Sequence, residues 1–269
     1  MIKNIIFSGG GLKGWAYIGT LRALEELICR KNLEQVIGVS IGSIFSLCYI
    51  LDIKWDFLLD FIMKLNFKEI IDTDINDILL NQSLIAGNIF SMVIKEIIST
   101  KIDPDITFNE LRRYTNIIYT VNAFNLSKNK IEYFNYKLTP DVKIIDAIRA
   151  STSVPLLFPA YLIGLDYYYD GGICNNCPID MVDELCTIAF DLGKNEKSNI
   201  KIIDLFNCLV DNINKKPENA ITFKVLDSKF NNQQLNINQS RDDIFNIYMS
   251  GYNLSKSVLF DNFIALKTS

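Results

Sequence analysis

The 269-residue chain contains no histidine. That absence excludes the Ser-His-Asp and Cys-His arrangements of nucleophilic catalysis. It also excludes His-containing zinc sites, HExxH metalloproteases and imidazole pH switches. Acid–base chemistry therefore falls to Asp, Glu, Lys, Tyr or Cys. A basic block is missing too: 27 Lys and Arg stand against 31 Asp and Glu, a formal charge of −4. Phosphate binding needs clustered cations, so nucleic acid is not an expected partner. The long uncharged stretch Gln35 to Leu51 is short for a membrane span and is broken up by Gly38, Ser40, Gly42, Ser43 and Ser46. After Lys3 only Ile5-Ile6-Phe7 precede a glycine run, which is no signal peptide. A cytoplasmic or peripheral-membrane protein is the expectation.

Six cysteines, at 29, 48, 174, 177, 186 and 208, are irregularly spaced, and Cys174-Asn175-Asn176-Cys177 is a lone CxxC. A zinc ribbon needs a second pair, so incidental thiols are expected and no metal. The apolar content of 49% is ample for a full core.

Ile5-Ile6-Phe7 reads as a buried strand, Ser8 to Gly14 as a glycine-rich turn, and Trp15 to Arg30 as a helix with Ala16, Ile18, Leu21, Leu24 and Ile28 at helical spacing. Glu34 to Val39 reads as a second strand, and Ser40 opens a second helix. This repeated strand–turn–helix start argues an α/β fold with a parallel sheet and covering helices. Residues 52–105 read as helical and apolar, with Trp55, Leu58, Leu59 and Ile62 on one stripe and Ile89, Val93, Ile94, Ile97 and Ile98 on another. Such stripes are core, or a surface turned to lipid. Thr107 and Glu110 form a capping-box pattern. Strands are expected at Ile117 to Ala123, Ile131 to Tyr136, Leu165 to Tyr169 and Thr187 to Phe190, and polar loops at 193–201 and 211–219. A last helix runs from Asp242 to Leu259, with a possible interruption at Gly251. There are no internal repeats and no domain linker.

Gly38-Val39-Ser40-Ile41-Gly42 is a G-x-S-x-G sequence between a buried strand and an apolar helix. That context fits a nucleophile elbow, in which a sharp strand-to-helix turn projects one hydroxyl from the sheet. Gly9-Gly10-Gly11-Leu12-Lys13-Gly14 has two readings. As G-x-G-x-x-G it would bind a dinucleotide, but the second strand ends in Gly38-Val39-Ser40, without the acidic residue a ribose requires. Alternatively its successive amides form an oxyanion hole, with Lys13 as a nearby positive charge. Both turns follow strands of one sheet, at its carboxyl edge. Asp170-Gly171-Gly172, taken alone, is a common Asp-Gly turn.

Together, G-G-G-x-K-G, G-x-S-x-G and D-G-G in this order resemble the patatin-like phospholipase family. The resemblance extends to Ile106–Leu111, to Ala147–Pro155 with Phe158-Pro159, to Asn176 and Pro178, and to Gly251-Tyr252. It spans nearly the whole chain, so residues 1–269 are expected to be a single domain. Lys13 departs mildly, because Arg is commoner there in the family. The resemblance implies a three-layer α/β fold whose central, mostly parallel sheet carries helices on both faces. It also implies a Ser-Asp dyad, for which a missing histidine is no obstacle. Ser40 would be the nucleophile and Asp170 the proton acceptor. Gly9, Gly10, Gly11, Lys13 and Gly14 would make the oxyanion hole, Gly10 and Gly11 foremost, with Gly38, Gly42, Gly171 and Gly172 in support. The implied activity is carboxylic-ester hydrolysis of phospholipid or another acyl lipid at a membrane surface, of phospholipase A or lysophospholipase type, with no metal or cofactor. A catalytically weak lipid- or partner-binding protein is the alternative. Covalent labelling of Ser40 by a fluorophosphonate separates the two.

Overall fold

The tertiary structure is a computed structural model that describes residues 2–70, 72, 83–182, 186–193, 222–234 and 236–268. The expected polar loops lie outside these residues except for Gly193, as do Cys208 and part of the 52–105 stretch. The fold is α/β around one sheet, with strand order β5-β6-β3-β2-β1-β7-β8 and β4 also paired to β3. Its centre is parallel: β1 (Asn4–Phe7) lies between β2 (Gln35–Gly38) and β7 (Thr187–Asp191), β2 continues to β3 (Ile118–Asn125), and β7 to β8 (Thr222–Lys224). Antiparallel pairs finish one side through β4 (Lys130–Phe134), β5 (Tyr161–Ile163) and β6 (Asp166–Asp170).

Alternation along the strands divides the core. Ile5, Phe7 and Val36 join the main cluster, whereas Ile6, Ile37 and Ala189 face the other way and pack with Ile179. Among the described residues that second face is covered by the short turn Ile179–Met181 and the partly buried Cys177 and Val182. The helices α1 (Ala16–Leu27), α2 (Ile41–Ile50) and α3 (Trp55–Lys64) contribute to the main cluster. Every residue of α2 is buried. The uncharged stretch around it is thus neither surface nor span but the centre of the core, where a helix apolar on all sides belongs.

Beyond α3 come the short α4 (Phe67–Ile70), α5 (Asn88–Ser99), α6 (Phe108–Thr115) and α7 (Ile144–Ser151). The apolar stripes bury Leu58 and Ile62 of α3 and Ile94, Ile97 and Ile98 of α5. The capping box opens α6, with the Glu110 amide donating to Thr107 Oγ1 at 3.3 Å and the Thr107 amide donating to Glu110 Oε2 at 2.8 Å. No helix of the described residues is long and apolar enough to cross a membrane.

The last helix, α8 (Arg241–Thr268), runs through Gly251 without interruption, which corrects the expected break. Gly251 is there for contact: a Cβ would strike the Ala16 carbonyl of α1, and one on Gly19 of α1 would strike the backbone of Tyr248 and Tyr252. Thr20 and Ser255 hydroxyls, 2.9 Å apart, close the same crossing. Gly251→Ala is therefore expected to lower stability by about 1–3 kcal/mol, the usual cost of overpacking, despite alanine's better helix propensity. Urea denaturation of the two proteins measures it.

Candidate active site

The site forms where three chain turns meet at the carboxyl ends of β1, β2 and β6. Ser40 links β2 to α2 with φ 51° and ψ −128°, a strained conformation for a residue with a side chain. Its amide donates to Ser151 Oγ at 2.8 Å, and its carbonyl accepts from the Ser43 amide at 2.8 Å. The flanking glycines are needed for space. A Cβ on Gly38 would strike Ser46 Oγ and the Ser43 backbone, and one on Gly42 would strike the Phe7 carbonyl of β1. The elbow is thereby pressed against the neighbouring strand.

Asp170 reaches the same place by sheet pairing. β2 pairs with β3 as far as Gly38–Val121, and β6 pairs with β3 just beyond, Asp170 opposite Ala123. The Asp170 amide donates to the Ser153 carbonyl at 2.9 Å. The carboxylate is buried, accepts the Gly172 amide at 2.7 Å and lies beside the Ser40 hydroxyl, which favours its charged form. Burial disfavours its charge and raises its pKa from 3.8 to about 6, with the neighbouring Ser40 hydroxyl and the Gly172 amide opposing.

The glycine loop lies over Ser40. Gly9 is clamped by the Asn176 side chain: its amide donates to Asn176 Oδ1 at 3.1 Å, and its carbonyl accepts from Asn176 Nδ2 at 3.3 Å. The Gly9 amide is thus occupied, which removes it from the expected oxyanion donors. No described residue accepts the Gly10 or Gly11 amide. Gly10 packs against Leu192, leaving no room for a Cβ, Gly11 takes φ +56°, and Gly14 abuts Ile41. Lys13 is fully buried, and its Nζ donates to the Gly193 carbonyl at 2.7 Å. Burial lowers its pKa to about 8, against the attraction of Asp191, with Lys224 adding repulsion. Lys13 therefore ties the loop to the end of β7, a different task from the expected charge beside an oxyanion. Beside it, Ser8 Oγ accepts the Leu192 amide at 3.1 Å and donates to Asp191 Oδ1 at 3.3 Å, while the Tyr17 hydroxyl lies 2.8 Å from the Ser8 carbonyl.

Several positioning groups had only a weak sequence signal. Ser151 and Ser153 sit in a segment noted for its pattern, and Asn176 was noted without a task. Asn122 carried no signal. It is buried on β3, donates to the Asn175 carbonyl at 2.8 Å and leaves no room for a Cβ on Gly171. Cys174 is a free thiol, and burial raises its pKa, so it is a poor nucleophile. No group of three metal-binding side chains occurs among the described residues.

Ser40 opens on a cavity of about 200 Å³. One wall is the α2 stripe Ile41, Ile44, Phe45 and Cys48, which runs about 12 Å from Ser40 at helical rise. The facing walls are Leu58 and Ile62 of α3 and Phe90, Val93, Ile94 and Ile97 of α5. No described Asp, Glu, Lys or Arg lines it.

The patatin-like phospholipase family profile matches residues 5–183. "Probable lipid hydrolase 463L" of Invertebrate iridescent virus 6 is 29% identical over 222 residues, which are 79% of this chain and 73% of that protein. "cGAMP-activated phospholipase" of Escherichia coli (strain TW11681) is 30% identical over 195 residues, 66% of this chain and 53% of that protein, so the chain spans about half its length. Among solved structures, VipD from Legionella pneumophila superimposes with a TM-score of 0.64 at 15% identity, over 97% of this chain and 67% of that one. That likeness is one of fold.

The raised Asp170 pKa carries a stability consequence. Its folded value of about 6 exceeds its ordinary 3.8, so the native state loses stability as pH rises through 6 and keeps it below 3.8. Asp170→Asn should therefore stabilise the protein at pH 8 by on the order of 2–3 kcal/mol and by little near pH 4. Thermal melts at the two pH values read this difference.

Proposed function

The chain belongs to the patatin-like phospholipase family, and from that premise and the site geometry we propose that it is a lipid hydrolase: a serine acyl-lipid hydrolase of phospholipase A or lysophospholipase type. The observation that carries the reading is the Ser40 hydroxyl on its strained elbow, beside a buried Asp170 and facing an apolar cavity. The names of the viral and bacterial relatives support the lipid class. The family match and the strands and helix beyond it, which complete the same sheet and pack on α1, support one domain over residues 1–269.

In the reaction, Ser40 Oγ attacks the ester carbonyl carbon while Asp170 takes the hydroxyl proton. The carbonyl oxygen becomes an oxyanion, held by the Gly10 and Gly11 amides, and each such donor contributes roughly 2.7–4 kcal/mol to the transition state. Collapse expels the alcohol, which receives the proton from Asp170, and leaves an acyl-serine. Water then attacks the acyl carbon with Asp170 again as base, which releases the carboxylic acid and restores Ser40. The cavity holds the acyl chain away from water beside the scissile bond. No described Asp, Glu, Lys or Arg lies in its walls, as an alkyl chain requires. This chemistry asks for no metal or cofactor. An aspartate with a pKa of about 6 is a better base at neutral pH than an ordinary one, because proton affinity and deprotonated fraction are then balanced.

Ser40→Ala and Asp170→Asn should each lower hydrolysis of a short-chain nitrophenyl ester by about 10³-fold or more while remaining folded. Fluorophosphonate should label the parent and not the Ser40→Ala variant. Folded variants that match the parent would sink the dyad. For the parent, kcat/KM should rise with pH through about 6 as Asp170 loses its proton. A pH profile flat across that range would remove Asp170 as the base.

A further inference from the structure

The cavity is ringed by chain segments of unusual composition. Residues 83–94, 150–165 and 230–240 contain no Asp, Glu, Lys or Arg, in a protein with 22% charged residues. All three supply walls of the cavity: Ile85 and Phe90 from the first, Leu157 and Phe158 from the second, Ile237 from the third. Neighbours of these residues face solvent. The Leu84 amide donates to the Leu156 carbonyl at 3.1 Å and the Ile85 amide to the Leu157 carbonyl at 2.9 Å, so the two segments run side by side. Ile85 and Leu157 turn in, whereas Leu84 and Leu156 are exposed. On the first turns of α5, Phe90 and Val93 turn in and Ile89 and Met92 are exposed, Met92 at 68%. Ile237 lines the cavity and is itself exposed, which marks an opening.

Leu156 adds a separate observation. It has φ 70°, a left-handed conformation that a leucine rarely adopts, and its side chain is 42% exposed. Backbone strain is here combined with exposing a large apolar group, and both are unfavourable in water. A second exposed apolar patch, Leu162, Leu165 and Tyr167 at the β5–β6 turn, differs because the Lys128–Asp166 ion pair adjoins it.

We propose that Leu84, Ile89, Met92, Leu156 and Ile237 form a collar that docks the cavity mouth on an uncharged (zwitterionic) lipid bilayer by apolar insertion. This rests on the acyl-lipid reading. Continuity with the cavity supports it, since an acyl chain can pass from bilayer to Ser40 without crossing water only if the mouth is seated in the lipid. Charge supports it as well. The collar segments carry no cations and the protein is net negative, so attraction to anionic headgroups cannot be the driving term. Docking should then be insensitive to salt, because hydrophobic transfer is not screened.

The test is co-sedimentation of the full chain with phosphatidylcholine vesicles at low and high salt. It is run beside hydrolysis of a water-soluble nitrophenyl ester, with the parent, Leu156→Asn and Met92→Glu. Asn tolerates the left-handed backbone, so Leu156→Asn removes the apolar group without threatening the fold. Each variant should weaken vesicle binding and vesicle-lipid hydrolysis roughly tenfold, the loss expected from one inserted aliphatic side chain, with soluble-ester hydrolysis retained. Vesicle binding unchanged in both variants would overturn the collar. So would binding that requires anionic lipid and vanishes in salt, or variants that only convert a dimer to monomer. Soluble-ester hydrolysis by the parent tests the hydrolase reading separately.

Discussion

Burial of the Asp170 carboxylate against the Ser40 hydroxyl is the constraint around which the rest is arranged. A buried charge is costly unless hydrogen-bonded, and here the Gly172 amide and Ser40 hydroxyl offset only part of that cost. The remainder appears as a pKa of about 6. In a chain without imidazole, that shift gives a carboxylate the proton affinity a general base needs near neutral pH. The fold supports the contact on both sides. Ser40 is held by the Ser151 hydroxyl and a strained turn, and Asp170 by pairing of β6 with β3 and the Ser153 carbonyl.

Close packing, against backbone or side chains, then explains most of the glycines. Gly38 and Gly42 have no positive φ, and their role is to let α2 approach β1 and its own elbow. Gly9 and Gly172 leave room for Asn176, which joins the glycine loop to the Asp170 turn. Below the loop, the buried polar set of Ser8, Tyr17, Asp191 and Lys13 fastens it to β7. Burial keeps the Tyr17 phenol neutral by raising its pKa well above the ordinary value. The loop, whose Gly10 and Gly11 amides no described residue accepts, is thus fastened in place, which is the condition the proposed oxyanion stabilisation requires.

Much of this was legible along the chain because it is local. Strand and helix positions followed from apolar spacing, and the capping box of Thr107 and Glu110 from a four-residue pattern. The ordered G-G-G, G-x-S-x-G and D-G-G motifs carried the family resemblance that points to Ser40 and Asp170, and the absence of histidine is consistent with a carboxylate as the proposed base. Other features were misjudged for the same local reason. Gly251 looked like a helix break, yet it is a contact point for Ala16, more than two hundred residues away in sequence. Lys13 sits inside the motif but points at Gly193.

What the sequence by itself determined is the set of elements and the mostly parallel α/β class, since spacing and composition encode these directly, and its ordered motifs supplied the family resemblance from which the Ser40–Asp170 pair is proposed. Tertiary structure alone decided which glycine amides no described residue accepts, what Lys13 binds, how far the Asp170 pKa rises and which apolar residues line a cavity rather than fill a core. Each of these depends on atoms brought together from distant segments, through hydrogen bonding, desolvation and packing that no local pattern records.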